Sequence, residues 1–145
     1  MARNEAFIAA PPSRVYEVLS DPNSYGEWVV GSREIRAADP EWPAPGTRFV
    51  HASGPPGLGA EDETRVIDTV APVMLELHDR VRPYPGARVT MYMQQDGDGT
   101  RVTMIEDPAN PVLNVLIGPL GHGLIKRRNV ESLRRLKELA ECPTP

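Results

Sequence analysis

The sequence predicts an α+β domain: a small antiparallel sheet with one dry face, closed by a long helix near the C-terminal end. Three observations predict it. Between residues 33 and 106 the apolar residues recur with a period of two, and each break carries a cluster of Pro, Gly or Asp that turns the chain. Beyond residue 110 the period becomes helical and stays so to about 141. The 145 residues show no repeat and no linker, so a single domain spanning 1–145 with one core is expected.

Taken in order, the run NEAFIAA is strand-like, with Ala6, Ile8 and Ala10 on one face, and Pro11-Pro12 closes it. Ser13 follows as an N-cap candidate. Val15, Val18 and Leu19, with Tyr16 beside them, then fall at helical spacing until Asp21-Pro22 stops the turn. PNSYGEWV restarts as a second short helix, with Tyr25 and Trp28 one turn apart and expected to seal it against the sheet edge. Strand-like stretches come next at roughly 33–38, 46–52, 62–70, 72–82, 86–95 and 100–106. Their breaks, DPEWPAPG, SGPPGLGA, VAP, RPYPG and DGDG, are short, so the strands should form a meander.

The DGDG hairpin also sets which side chains face inward. Pairing Gln95 with Thr100 puts Met93 opposite Val102, Met91 opposite Met104 and Val89 opposite Glu106. Those residues share the inner face, and Thr90, Tyr92, Gln94, Arg101 and Thr103 share the outer one. The same alternation turns Phe49 and His51 inward on an earlier strand, and Val73, Leu75 and Leu77 on the middle one.

The segment NPVLNVLIGPLGHGLIKRRN supplies the lid. Its apolar run is shorter than the roughly 20 residues of a membrane span, and it holds two prolines and three glycines. At about 100° per residue, Leu113, Leu116, Ile117, Leu120 and Leu124 share one face, whereas Leu133, Leu136 and Ala140 lie half a turn away. One straight helix cannot hold both stripes against one sheet. The phase jump falls at Gly118-Pro119 and Gly121, which predicts a short element over 110–117 and a long helix from about Pro119 to Glu141. Leu133, Leu136 and Ala140 then pack as core, with KRR outward. His122, Ile125 and Asn129 continue that stripe over the methionines, and Leu120 and Leu124 are left to cover the short segment before them.

Composition narrows the chemistry. A net charge of −4 supplies no basic field for phosphates, which argues against nucleic acid and against an anionic membrane. The N-terminal MARNEAFIAA reads as neither signal peptide nor anchor, so a cytoplasmic protein without a membrane span is expected. The lone Cys142 offers no disulfide and no zinc cluster. His51, His78 and His122 show no HxH or HxxxH spacing, so no metal is expected. GPLGHG lacks the spacing of a nucleotide loop, so no cofactor is expected either. No nucleophile motif is present, and a Ser-His-Asp arrangement cannot be read. His78 should face solvent.

FIAAPPSRVYEVLSDPNSYGEWV, PGTRF, GTRVTMIED and NVESLRRLKELAE together resemble the START-related superfamily, also called SRPBCC, and most closely its polyketide cyclase/dehydrase-like members. The likeness covers nearly the whole chain. It implies a helix-grip fold: a curved antiparallel sheet of about seven strands, the first added at an edge, wrapped around the long C-terminal helix with a cavity between.

On that frame Trp28, Phe49, Leu75, Met91, Met93, Met104, His122, Ile125 and Asn129 are the candidate ligand-binding residues. Polarizable methionines suit an apolar ligand of variable shape. Glu106 and His51 are the candidate catalytic residues, because an inward carboxylate on a dry face needs a partner or a raised pKa. Three functions remain open at this point. One is a binder of a polyketide-, isoprenoid- or lipid-like molecule, one is a cyclase or dehydratase moving protons through Glu106 or His51, and one is a partner-binding module with a filled cavity. A monomer or homodimer fits each.

Overall fold

The computed structural model describes residues 2–53, 61–80, 86–108 and 111–142. Strand β1 (Ala2–Ile8) leads into helix α1 (Pro12–Leu19), a 3-10 turn (Pro22–Ser24) and a one-turn helix α2 (Tyr25–Trp28). Six strands follow: β2 (Ser32–Ala38), β3 (Arg48–Ser53), β4 (Glu61–Val70), β5 (Met74–Arg80), β6 (Ala87–Asp96) and β7 (Gly99–Pro108). Helix α3 (Pro111–Glu141) closes the chain. All seven strands form one antiparallel sheet in the order β1-β7-β6-β5-β4-β3-β2, a meander whose first strand has been placed beside its last. With α3 packed on β1 and β7, this is the helix-grip architecture.

The hairpin register is the expected one. Gln95 pairs with Thr100, Met91 with Met104 and Val89 with Glu106, and Gly97 takes the positive φ of 59° that the tight turn requires. Met91, Met93, Val102 and Met104 are buried, and Tyr92 on the opposite face is 46% exposed. Phe49, His51, Leu75 and Leu77 are likewise buried. The apolar ones join Ile8, Val15, Leu19, Leu133 and Leu136 in one core between the sheet and the helices.

The helix break also falls where the phase jump put it. Gly118 has φ 67° and ψ −178°, so α3 consists of two helical pieces meeting there. Pro119 follows as the first residue of the second piece, where its missing N–H costs nothing. A side chain at Gly118 would meet open space, so the backbone conformation rather than crowding calls for glycine.

Five expectations need correction. Helix α1 begins a residue early, with Pro12 in its first turn and Pro11 at the cap without a side-chain bond, so Ser13 lies inside the helix rather than capping it. Val73 is 46% exposed because it belongs to the turn before β5, its N–H donating to Val70 O, where strand alternation does not apply. Thr90 is buried although it lies on the outer face, since β6 is an interior strand and the longer Glu76 and Ile105 flank it across the ladders. Leu120 and Leu124 are 81% and 60% exposed. The stripe that meets the sheet is already filled by Asn129, Leu133, Leu136 and Ala140, so the residues half a turn away face outward. Arg128, expected outward with Lys126 and Arg127, reaches over the sheet instead to bond Glu106 of β7. The turns SGPPGLGA and RPYPG fall largely outside the described residues, as do the side chains of Leu113, Leu116 and Ile117.

Candidate functional site

Between α3 and the β2 side of the sheet lies a cavity of about 150 Å³. Its position follows from the helix-grip geometry: α3 packs on β1 and β7, leaving the other end of the sheet to be roofed by α2 and the start of β2. The apolar wall is Trp28 and Tyr25 from α2, Phe49 from β3, Leu77 from β5, Val89 from β6 and Met104 from β7. Phe49 is held in an aromatic cluster, with centroids 4.8 Å from both Tyr25 and Trp42 and 5.5 Å from His51.

Two buried donors in this wall are unsatisfied. Tyr25 Oη and Trp42 Nε1 both donate to Leu19 O, at 2.9 and 3.1 Å. By contrast, Trp28 Nε1 and Asn129 Nδ2 find no acceptor among the described residues. Buried polar groups are nearly always paired, since an unmade bond costs about 1–3 kcal/mol.

The polar end of the cavity carries charge. Glu106 is 6% exposed and points inward, and Arg128 Nη2 donates to both of its carboxylate oxygens at 2.9 Å. Burial pushes the Glu106 carboxyl above the usual carboxylate value, Arg128 pulls it back, and Asp79 pushes it further up. His51 also lines the cavity, between Ser32 of β2 and Thr64 of β4, with Asp79 of β5 beyond. Burial holds the His51 pKa below its ordinary value against the pull of Asp79 and Asp62. Burial likewise raises Asp79, against His51, Thr64 and Arg128.

Of the sequence-derived candidates, Trp28, Phe49, His51, Met104, Glu106 and Asn129 meet in this cavity. Leu75, Met91 and Met93 lie in the core outside its lining. The half-buried His122 and Ile125 are outside it as well. Sequence reasoning did not single out Ser32, Thr64, Asp79 and Arg128. Asp79 follows Leu75 and Leu77 at strand spacing and Thr64 precedes Val66, so alternation could have found both. Ser32 could not be found that way, because register shifts between Ser32 and Ile35 and again before Ala37 break the parity of β2. Arg128 was hidden by its length: its Cα lies off the sheet-facing stripe while its guanidinium reaches back to Glu106.

A family profile described as polyketide cyclase/dehydrase and lipid transport matches residues 2–141. The chain belongs to that family. Solved structures agree on the fold of this polyketide cyclase/dehydrase-like protein. TTHA0849 from Thermus thermophilus is 20% identical, with 96% of this chain and 95% of that one covered at a TM-score of 0.71. CV1439 from Chromobacterium violaceum is 18% identical, with 97% of each covered at 0.74. DynU16, from the dynemicin biosynthetic locus, is 18% identical at a TM-score of 0.70, with 99% of this chain but 48% of DynU16 covered. Among curated proteins, no sequence matches the chain. No helix among the described residues is long and apolar enough to cross a membrane.

Proposed function

We propose that this family member binds an apolar, oxygen-bearing small molecule of polyketide, isoprenoid or lipid-like character in the cavity between sheet and α3. The observation that carries this reading is the pair of unpartnered donors, Trp28 Nε1 and Asn129 Nδ2, on residues that line the cavity along with its apolar side chains. A carbonyl, ether or hydroxyl oxygen that reaches either donor would recover a hydrogen bond the folded chain forgoes, while the aromatic and aliphatic side chains supply affinity. The cavity is smaller than the roughly 300–1,000 Å³ of drug-sized sites, which suits a single ring or one end of a longer molecule. Native mass spectrometry of protein purified from its source should reveal a retained apolar compound, and Asn129→Leu should reduce its retention. An empty wild-type protein, or retention indifferent to Asn129→Leu, defeats the reading.

A second reading, catalysis of the cyclase or dehydratase kind, has one observation in its favour. Two titratable groups lining one cavity have pKa values moved from their ordinary ones in opposite directions: Glu106 is raised toward neutral pH, and His51 is lowered, which keeps its ring neutral and able to accept a proton. On this reading Glu106→Gln removes on the order of 10²–10⁴ in turnover while leaving affinity within about tenfold. For a pure binder only the small change in affinity is expected.

A further inference from the structure

Both ring nitrogens of His51 are engaged. Nδ1 lies 3.1 Å from Ser32 Oγ and Nε2 lies 3.4 Å from Thr64 Oγ1. The Thr64 hydroxyl is in turn 3.2 Å from Asp79 Oδ1, the oxygen 3.8 Å from His51 Nε2. An ionised carboxylate has no proton to give, so the direction of the chain is set from Asp79. Thr64 O–H donates to it, Thr64 oxygen accepts from Nε2–H, and a neutral ring protonated at Nε2 bares a lone pair at Nδ1 for the Ser32 O–H. Every donor then has an acceptor, and all four side chains line the cavity. The group such a chain presents to a ligand is the Ser32 hydroxyl, since the histidine is occupied on both sides. Local backbone supports this presentation: Ser32 opens β2 directly after Gly31, whose φ of 98° turns the chain, and its N–H is tied to Val29 O at 3.1 Å.

We propose that Ser32 is a nucleophile for esters of short apolar carboxylic acids, with His51 as its general base and Thr64 and Asp79 as positioning residues. The proposal deepens the ligand-binding reading and rests on it. Ser32 Oγ would attack the ester carbonyl carbon while its proton passes to His51 Nδ1. The bond to the alkoxy oxygen then breaks, and that oxygen takes the proton from His51 and leaves as the alcohol. Water, deprotonated by the same nitrogen, attacks the acyl-serine and releases the carboxylic acid, restoring the Ser32 hydroxyl. Trp28 Nε1–H and Asn129 Nδ2–H are the unsatisfied donors in the same wall for the oxygen that becomes negative. The cavity volume of about 150 Å³ restricts the acyl group to a short chain or one ring.

The charged groups around His51 are Asp79 of β5 and Asp62 of β4, with Arg128 of α3 and Glu106 of β7 beyond Asp79. Burial prevails over the two aspartates and keeps the ring neutral, and so able to act as a base, down to pH values below 6.5. Phenylmethylsulfonyl fluoride is the probe, because an activated serine displaces its fluoride and keeps the sulfonyl group. Peptide mass spectrometry of the labelled wild-type protein should place one benzylsulfonyl group on Ser32, with a rate that rises with pH through an inflection below 6.5. Ser32→Ala should remove the label, and His51→Gln should slow it on the order of 10²-fold or more. Thr64→Val, which keeps the side-chain shape, should move the inflection to lower pH, because the imidazolium loses its link to Asp79; a merely structural threonine would leave the profile unmoved. Absence of label on Ser32, or a rate without the inflection, overturns the proposal. If Ser32 stays unlabelled while benzyl alcohol still shifts the Trp28 and Asn129 side-chain resonances, the nucleophile falls and the ligand site stands. If benzyl alcohol shifts neither resonance, both fall.

Discussion

Arg128→Met should destabilise the protein in a pH-dependent way. The substitution keeps most of the aliphatic stem and removes the guanidinium that bonds both oxygens of Glu106. Breaking a fully buried ion pair from one side costs about 3–5 kcal/mol. Arg128, however, keeps 41% of its side chain in solvent, so water screens part of its charge and the figure must be discounted. A loss of about 1.5–3 kcal/mol near pH 7, the range of a hydrogen bond to a charged group, follows. At about 2–4 °C per kcal/mol for a chain of this size, Tm should fall by roughly 3–12 °C. The pH dependence follows from the raised Glu106 pKa. A carboxyl that binds its proton more tightly folded than unfolded loses stability as pH rises from its unfolded value through its folded one. Removing Arg128 takes away the strongest influence holding that folded pKa down, so the window extends to higher pH, and Asp79 moves the same way. The deficit of Arg128→Met relative to wild type should therefore be small near pH 4.5 and grow toward pH 8, read as Tm by circular dichroism. Adding Glu106→Gln should flatten most of that dependence. A deficit of constant size across the range, or none, refutes the claim that Arg128 serves to hold a buried carboxylate.

Other outcomes can be stated more briefly. Gly118→Ala places a side chain at φ 67°, ψ −178°, a region nearly reserved for glycine, and should cost about 1–3 kcal/mol by urea unfolding; a neutral result would mean the two pieces of α3 can join into one helix. Met91→Ala, deep in the core, should cost about 2–5 kcal/mol, whereas Tyr92→Ser on the outer face should stay within about 0.5 kcal/mol apart from its lost sheet preference; equal costs would put the register off by one. The His51 ring protons should titrate by NMR with a midpoint below 6.5. Because a buried histidine with a lowered pKa resists protonation, its contribution to stability should fall as pH drops from about 6.5, opposite in sign to that of Glu106. A midpoint above 6.5 would mean that the aspartates outweigh burial.

Much of the frame was legible in the residues themselves, because local rules act there without competition. The DGDG turn admits few registers, and once Gln95 faces Thr100 the parity of two long strands follows, Met91, Met104 and Glu106 included. The break at Gly118 was equally local: a phase jump between two apolar stripes leaves no continuous helix able to bury both, and a Gly-Pro step marks the place. Where parity is interrupted, the residues stop being informative. The irregular pairing of β2 hid Ser32, and the turn geometry at Val73 reversed its expected side. Which inward residues face a cavity and which fill the core was decided only by tertiary structure. Met91, Met93 and Met104 look alike in the sequence, but α3 leans on β1 and β7 and leaves its open angle toward β2, so Met104 borders the void and the other two are packed over. The partners of the buried charges were decided in the same way. Arg128 with Glu106, and His51 with Ser32, Thr64 and Asp79, come from elements far apart along the chain, and hydrogen-bond geometry at about 3 Å depends on how a helix and several strands settle against one another.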